Sequence, residues 1–280
     1  MNASHKNMIV AELVQLANKE SQSRIARKAG VSTATISQMI NSNWDLIRDE
    51  MWQKVKINLH INWDWATAET ANLKALTQLL LSAQKRSMSI AVSHDAGAGK
   101  SHTYRLFART YENVIYVECK NYWTKKSYAR QLCTACGIDD SGTIETLIER
   151  FISSVKSMNK ALIIIDQVDK LKDSQLDLFM DFYNELDGYC GFILSGVPAL
   201  KKRIERGCQL NKIGYRELFS RIGRKFITLR KLSETDVSAV CKANGVDDEQ
   251  FINETYNTCE GDLRRVRRSI DQYFLLKDIA

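Results

Sequence analysis

Apolar residues recur at helical spacing through the first sixty positions. Met8, Ile9, Leu13 and Leu16 mark one stretch, and Ser23 to Ile40 continues in the same rhythm. Residues 1–62 therefore read as a small all-helical module. A tryptophan-rich stretch follows (Trp44, Trp52, Trp63 and Trp65), expected to close that module and lead into a connector over residues 63–70. From about residue 71 helices alternate with short β-rich runs. The candidate strands are Met88–Ser93, Val114–Glu118, Ala161–Asp166, Phe192–Ser195 and Lys225–Leu229. Helical segments separate most of them, as in Ser174 to Leu186 with Leu176, Phe179, Phe182, Tyr183 and Leu186 on one side. Five strands alternating with helices predict an α/β core over residues 71–230, a parallel sheet with right-handed crossovers. Strand signals stop after Leu229, and residues 231–280 read as a helical lid.

Within the first module, SRIARKAGVSTATISQMIN reads as helix-turn-helix over Ser23 to Asn41. Ala26 is small where two helices cross, Gly30 suits the turn, Ser32 or Thr33 can cap the second helix, and Ile36 packs inward. In that frame Thr33, Ala34, Ser37, Gln38 and Asn41 would face DNA. Modules of this kind also serve as protein contacts.

The segment SIAVSHDAGAGKSHTYRLFA is a strand, then a glycine-bearing loop, then a helix. Gly97, Gly99, Lys100 and Ser101 fit the end of the phosphate-loop pattern GxxxxGK[ST], with Ala98 and His102 beside them. Glycines let backbone N–H groups approach phosphate, the helix N-terminus favours anions, lysine adds a point charge, and serine can ligate magnesium. The pattern's first glycine is replaced by His94, which puts the turn into the loop in question. A second half of the site follows. Ala161-Leu-Ile-Ile-Ile-Asp166 is an apolar strand ending in aspartate 66 residues after Lys100, as a Walker B strand does. Asp166 would hold Mg2+ opposite Ser101, and the cofactors expected are ATP and Mg2+.

The net charge is +7, from 40 Lys and Arg against 33 Asp and Glu. It is unevenly spread. Between Ala199 and Lys231 there are eleven Lys and Arg against two Glu, and Arg264, Arg265, Arg267 and Arg268 form a second cluster. Such patches suit a polyanion, since neutralising phosphates releases counterions. A hydrophobic fraction of 44% with 26% charged residues excludes a disordered chain. No apolar run approaches a membrane span and no secretory signal is recognisable, so a cytoplasmic, DNA-associated location is expected. Seven cysteines at irregular spacing argue against a disulfide framework, and the single CxxC of Cys133 and Cys136 lacks the second pair a structural zinc needs.

These spacings resemble those of AAA+ ATPases. The resemblance implies roles for further residues. Ser195, ending the fourth strand, stands where a polar sensor meets the γ-phosphate or the water. Arg221 in LFSRI stands where an arginine finger reaches a neighbouring subunit's ATP, with Arg216 and Arg224 as competitors. Arg264 in Gly261-Asp-Leu-Arg264 matches a second sensor that packs on the nucleotide. AAA+ ATPases usually carry glutamate after the Walker B aspartate, and here the residue is Gln167. An amide orients a water but cannot take its proton, a step worth roughly 10²–10⁴ in rate, so hydrolysis is expected to be impaired.

The combination of IARKAGVSTATIS, the phosphate loop, IIIDQVDKL, LFSRI and GDLR is similar to the AAA+ transposition regulators of the Mu transposition protein B and TnsC-like family. That resemblance implies an ATP-dependent, sequence-tolerant binder of double-stranded DNA. It implies self-assembly into helical filaments and delivery of target DNA to a DDE transposase. It also places the DNA path on the loop after the second strand, Cys119 to Lys126, with Lys120, Lys125, Lys126 and Arg130 as phosphate ligands. Contacts of that kind position DNA without reading bases. The alternatives are a helicase-loader-like AAA+ ATPase and a helix-turn-helix transcription regulator.

Overall fold

The computed structural model describes residues 1–62 and 65–279. Trp63 of the tryptophan-rich stretch lies outside the described residues. Four helices form the N-terminal module: α1 (Ala3–Ala17), α2 (Gln22–Ala29), α3 (Thr33–Ile40) and α4 (Asp49–Asn58). Short polar side chains start the first three. Asn2, Ser21 and Ser32 each accept a hydrogen bond from a backbone N–H in the first turn, supplying an acceptor to groups that have no partner within the helix. Gly30 ends α2 in the left-handed conformation at φ +69°, and the chain turns there into α3. The apolar stripes Ile9–Leu13–Leu16, Ile25–Ala26–Ala29 and Ile36–Met39 meet over Trp52 and Val55 in one buried core. Trp44 stands edge-on to Trp52 with 5.6 Å between ring centroids. Trp65 does not join them. It packs against the core of the C-terminal helices, so the described tryptophans divide between two bodies instead of closing one.

Helix α5 (Ala71–Arg86) opens the α/β core, and Thr70 caps it at the Leu73 N–H. The strands are β1 (Ser89–Ser93), β2 (Val114–Glu118), β3 (Ala161–Asp166), β4 (Cys190–Gly196) and β5 (Phe226–Ile227). They lie in the order β2-β3-β4-β1-β5, every pair parallel. β3 and β4 are buried along their whole length, which is why they read as unbroken apolar runs and not as alternating patterns. On one face α5 and α6 (Lys100–Thr110) close a core around Leu80, Tyr104, Phe107 and Ile164. The other face is covered by α7 (Lys125–Cys136), α8 (Ile144–Lys156), α9 (Asp173–Leu186), α10 (Pro198–Gln209) and α11 (Tyr215–Arg221) around Phe151, Phe179, Phe182 and Phe192. The lid is α12 (Glu234–Ala243), α13 (Glu249–Thr258) and α14 (Leu263–Ile279), with its own core of Val237, Val246, Ile252 and Val266. The fold is that of an α/β P-loop NTPase.

The N-terminal module docks on the core through α1 and α2. Lys19 Nζ donates to the carbonyls of Arg109 and Thr110 at 2.7 Å each, at the C-terminal end of α6, and Glu12 pairs with Arg109 at 2.5 Å. Gly137, left-handed at φ +73°, lets α2 lie against the end of α7: a Cβ there would stand 2.9 Å from Arg24 Cβ and 3.0 Å from its carbonyl oxygen. Among the described residues no helix is long and apolar enough to cross a membrane.

Candidate functional site

In parallel α/β sheets ligands lie beyond the carboxyl ends of the strands, where neighbouring connections run to opposite sides. Here β1 lies between β4 and β5, and the chain leaving it forms the phosphate loop. Gly97 and Gly99 take φ +83° and +88°, a left-handed backbone that glycine adopts without a Cβ clash. His94, where the pattern has its first glycine, does not take a left-handed backbone. Its N–H donates to Gly196 O at 3.2 Å, and its Nδ1 accepts from the Leu229 N–H at 3.3 Å. The histidine therefore ties the loop to the exit of β4 and to the segment after β5. Lys100 is buried and folds back on the loop, its Nζ donating to the carbonyls of His94 and Asp95 at 2.6 and 2.8 Å. Burial lowers its pKa, opposed by the negative charge of Asp166. Phosphate oxygens would replace those carbonyls as partners.

Asp166, at the end of β3, is buried. Its Oδ2 accepts from Ser101 Oγ at 2.5 Å and its Oδ1 from the Gln167 N–H at 2.9 Å. Burial raises its pKa against those hydrogen bonds, and a nearby cation would favour the charged carboxylate. This donor set fits magnesium. Ser101 and Asp166 would hold the ion, and it would neutralise phosphate charge. Ser195 lies fully buried on β4, close to Asp166 and Tyr104.

Gln167 adopts a left-handed backbone at φ +57°. Its side-chain amide donates to Glu118 Oε1 at 2.9 Å, and its oxygen accepts from Lys170. Glu118 stands opposite Asp166 in the register of β2 and β3. Arg105 at 2.6 Å and Lys120 at 3.2 Å pair with it. Burial disfavours its charge, but the Arg105 guanidinium and then Lys120 outweigh that and hold its carboxyl at about 2. Sequence reasoning passed over Glu118, although β2 ends in an acid just as β3 does.

A cavity of about 600 Å³ brings together Gly97, Gly99, Lys100, Ser101, His102, Asp166 and Gln167, with Arg264 at its lid side. Ala98 is buried in the loop. The cavity also takes Thr67 and Arg105, which the sequence did not single out, and Trp65 and Arg267, which it marked only as part of a tryptophan-rich stretch and a basic cluster. Arg267 lies over the Trp65 ring at 5.1 Å, and Thr67 Oγ1 is 3.0 Å from His102 Nε2. The connector is therefore a wall of the cavity. Arg264 is exposed and bonded to Asp262. Arg221 lies away from the cavity lining, on α11, 3.4 Å from Glu217 and over the Tyr183 ring at 4.8 Å. Arg216 and Arg224 are exposed near it.

The other predicted residues lie on two surfaces. On α3, Thr33, Ala34 and Asn41 are exposed, and Ser37 and Gln38 are half-buried. In the loop after β2, Cys119 and Trp123 are buried while Tyr122 is 81% exposed. Thr124 caps α7 at the Ser127 N–H. Lys126 and Arg130 are exposed and Lys125 half-buried, and Arg130 pairs with Asp140 at 2.9 Å. A second cavity, of about 410 Å³ between module and core, brings Lys120 together with Arg27, Lys28, Arg105 and Arg109. Cys133 and Cys136 are buried within α7, where burial pushes the Cys133 thiol up to about 12.

Residues 83–204 match the family model described as AAA domain. Over 242 residues the chain is 24% identical to the Mu-like prophage FluMu DNA transposition protein B of Haemophilus influenzae (strain ATCC 51907 / DSM 11121 / KW20 / Rd), covering 82% of each. Among solved structures it is similar to a DNA replication initiation factor, at a TM-score of 0.50 and 16% identity over 73% of this chain and 61% of that one. A further likeness is to AMPPCP-bound DnaA from Aquifex aeolicus, at a TM-score of 0.49 and 16% identity over 74% of this chain and 64% of that one. The chain spans less than two thirds of either solved chain. Residues 83–204 thus carry an AAA domain, and the chain resembles a Mu-like DNA transposition protein B.

Proposed function

We propose that this chain is an ATP-dependent, largely sequence-nonspecific binder of double-stranded DNA that assembles into filaments and presents target DNA to a transposase. The observation that carries the reading is the likeness to a Mu-like DNA transposition protein B. It extends over 82% of the chain, well beyond the AAA domain at residues 83–204. Two features of the molecule support it. The cleft at the end of β1 has the donors that a nucleoside triphosphate with magnesium requires. The loop after β2 and the start of α7 carry Lys120, Lys125, Lys126 and Arg130, the arrangement expected of backbone contacts.

In this reading Lys100 and the loop N–H groups take the phosphates, Ser101 and Asp166 the metal, and Arg264 the nucleotide from the lid. Arg221 completes the site of the next copy. Site completion between copies makes assembly depend on ATP, because the nucleotide then favours the assembled state. Gln167 orients the attacking water without taking its proton, so hydrolysis is slow and the assembled state persists.

The test is fluorescence anisotropy of random-sequence duplex DNA with ATP, with ADP and without nucleotide, across a salt series. Tight binding only with ATP, falling steeply with salt and indifferent to sequence, is expected. Binding regardless of nucleotide, or none at all, refutes the reading.

A further inference from the structure

The lid touches the phosphate loop at the turn into α14. The Leu263 N–H donates to Gly97 O at 3.0 Å. Beside it the Asp262 carboxylate rests on the glycine face: a Cβ built on Gly97 would lie 2.0 Å from Asp262 Oδ1 and 2.2 Å from its Cγ. An acid is thus packed against a loop whose chemistry is to attract anions. Asp262 also engages Arg264. Arg264 Nε donates to Oδ1 and Oδ2 at 3.0 and 3.1 Å, and Nη2 to Oδ2 at 2.7 Å.

We infer that Asp262 is a positioning residue that sets nucleotide preference, by holding Arg264 on its own carboxylate until a γ-phosphate competes for the guanidinium. The inference rests on the cleft being the ATP site. Arg264 borders the cavity and carries its charge on a long side chain that is 66% exposed, so it can exchange partners without unfolding the lid. A triphosphate presents a charged group that bids for Arg264, whereas a diphosphate is one phosphate shorter. The Asp262–Arg264 pair therefore costs the triphosphate more than the diphosphate. Arg264 is exposed while Asp262 is half-buried, and a pair with one solvent-facing partner is worth about a few-fold in an equilibrium constant.

A structural role for Asp262 exists as well, since its Oδ1 accepts from the Arg264 N–H at 2.8 Å and so caps α14. Asparagine keeps that cap and removes the charge, which separates the two roles. The experiment measures the affinities of full-length wild type, Asp262→Asn, Arg264→Ala and the double variant for a mant-labelled nonhydrolysable ATP analogue and for mant-ADP. Asp262→Asn is expected to raise the preference for the triphosphate about three- to fivefold, and the same change made in the Arg264→Ala background is expected to leave it unmoved. An unchanged preference, or the same gain without Arg264, overturns the inference while leaving the ATP site intact. Failure of the wild type to bind either nucleotide overturns the ATP site itself, and the inference with it.

Discussion

Replacing Gln167 by glutamate restores the carboxylate that the AAA+ pattern places after the Walker B aspartate, and its consequences can be worked from the contacts. The amide now donates to Glu118 Oε1 at 2.9 Å and accepts from Lys170. Glutamate loses the first contact and keeps the second. Losing a hydrogen bond to a charged acceptor costs about 1.5–3 kcal/mol. Two carboxylates about 4 Å apart repel by about 4 kcal/mol at an effective dielectric of 20, and Lys170 offsets a comparable amount from the other side. The variant should therefore fold, with unfolding free energy lower by about 1–3 kcal/mol. Repulsion from Glu118 raises the proton affinity of the new carboxyl, and a base with higher proton affinity takes a proton from water more readily. General-base catalysis is worth roughly 10²–10⁴ in rate, and the Lys170 contact places the gain near the lower end, about 10². Phosphate release at saturating ATP with magnesium measures it, alongside urea unfolding. If the variant folds and binds ATP but turns over no faster than wild type, the role given to Gln167 is wrong.

Two further outcomes follow from the same contacts. Glu118 has a folded pKa of about 2 against its ordinary 4.5, so its stabilising effect is fully present above pH 4.5 and is lost as pH falls through 2. With the side chain 19% exposed, that shift corresponds to about 3 kcal/mol. Glu118→Gln should lose most of it at pH 7, and urea midpoints of the two proteins should converge between pH 4.5 and 2; a gap that stays constant with pH refutes the linkage. Gly137→Ala puts a methyl 2.9 Å from Arg24 Cβ on a backbone at φ +73°, whereas Gly223→Ala at φ +74° meets nothing within 4 Å. Both carry the left-handed strain of about 1 kcal/mol. Only the first should also loosen the N-terminal module, read as faster proteolysis in the connector, and equal behaviour of the two variants would deny that α2 docks through Gly137.

The strands of the core were legible because β3 and β4 are buried on both faces and read as unbroken apolar runs. β5 was drawn too long, over Lys225–Leu229. Only Phe226 and Ile227 pair with β1, and nothing in a short run of mixed residues marks where pairing stops. The phosphate loop was legible from local chemistry, with His94 as the point of doubt. The structure resolves that doubt through contacts to Gly196 and Leu229, the second 135 residues along the chain, which no local pattern encodes. Trp65 escaped for the same reason. Its partners are Arg267 and the lid core, so the connector read as a spacer when it is a wall. Glu118 escaped because an acid at the end of a strand has meaning only once the register sets it opposite Asp166.

These long-range contacts converge on α6. Its first turn carries Lys100 and Ser101 at the phosphate loop, and His102 meets Thr67 of the connector. One turn further on, Arg105 pairs with Glu118, which in turn takes the Gln167 amide. At its far end Arg109 pairs with Glu12, and the last carbonyls accept from Lys19. A helix is stiff along its axis over such a length, about 16 Å for eleven residues. Cleft and connector therefore grip one end of this rigid rod and the N-terminal module the other. The connector is itself fastened to the lid, through Ala66 hydrogen-bonded to Asn244 in both directions at 2.9 and 3.2 Å. Lid, connector and α6 are thus joined by a run of polar contacts that does not pass through the sheet.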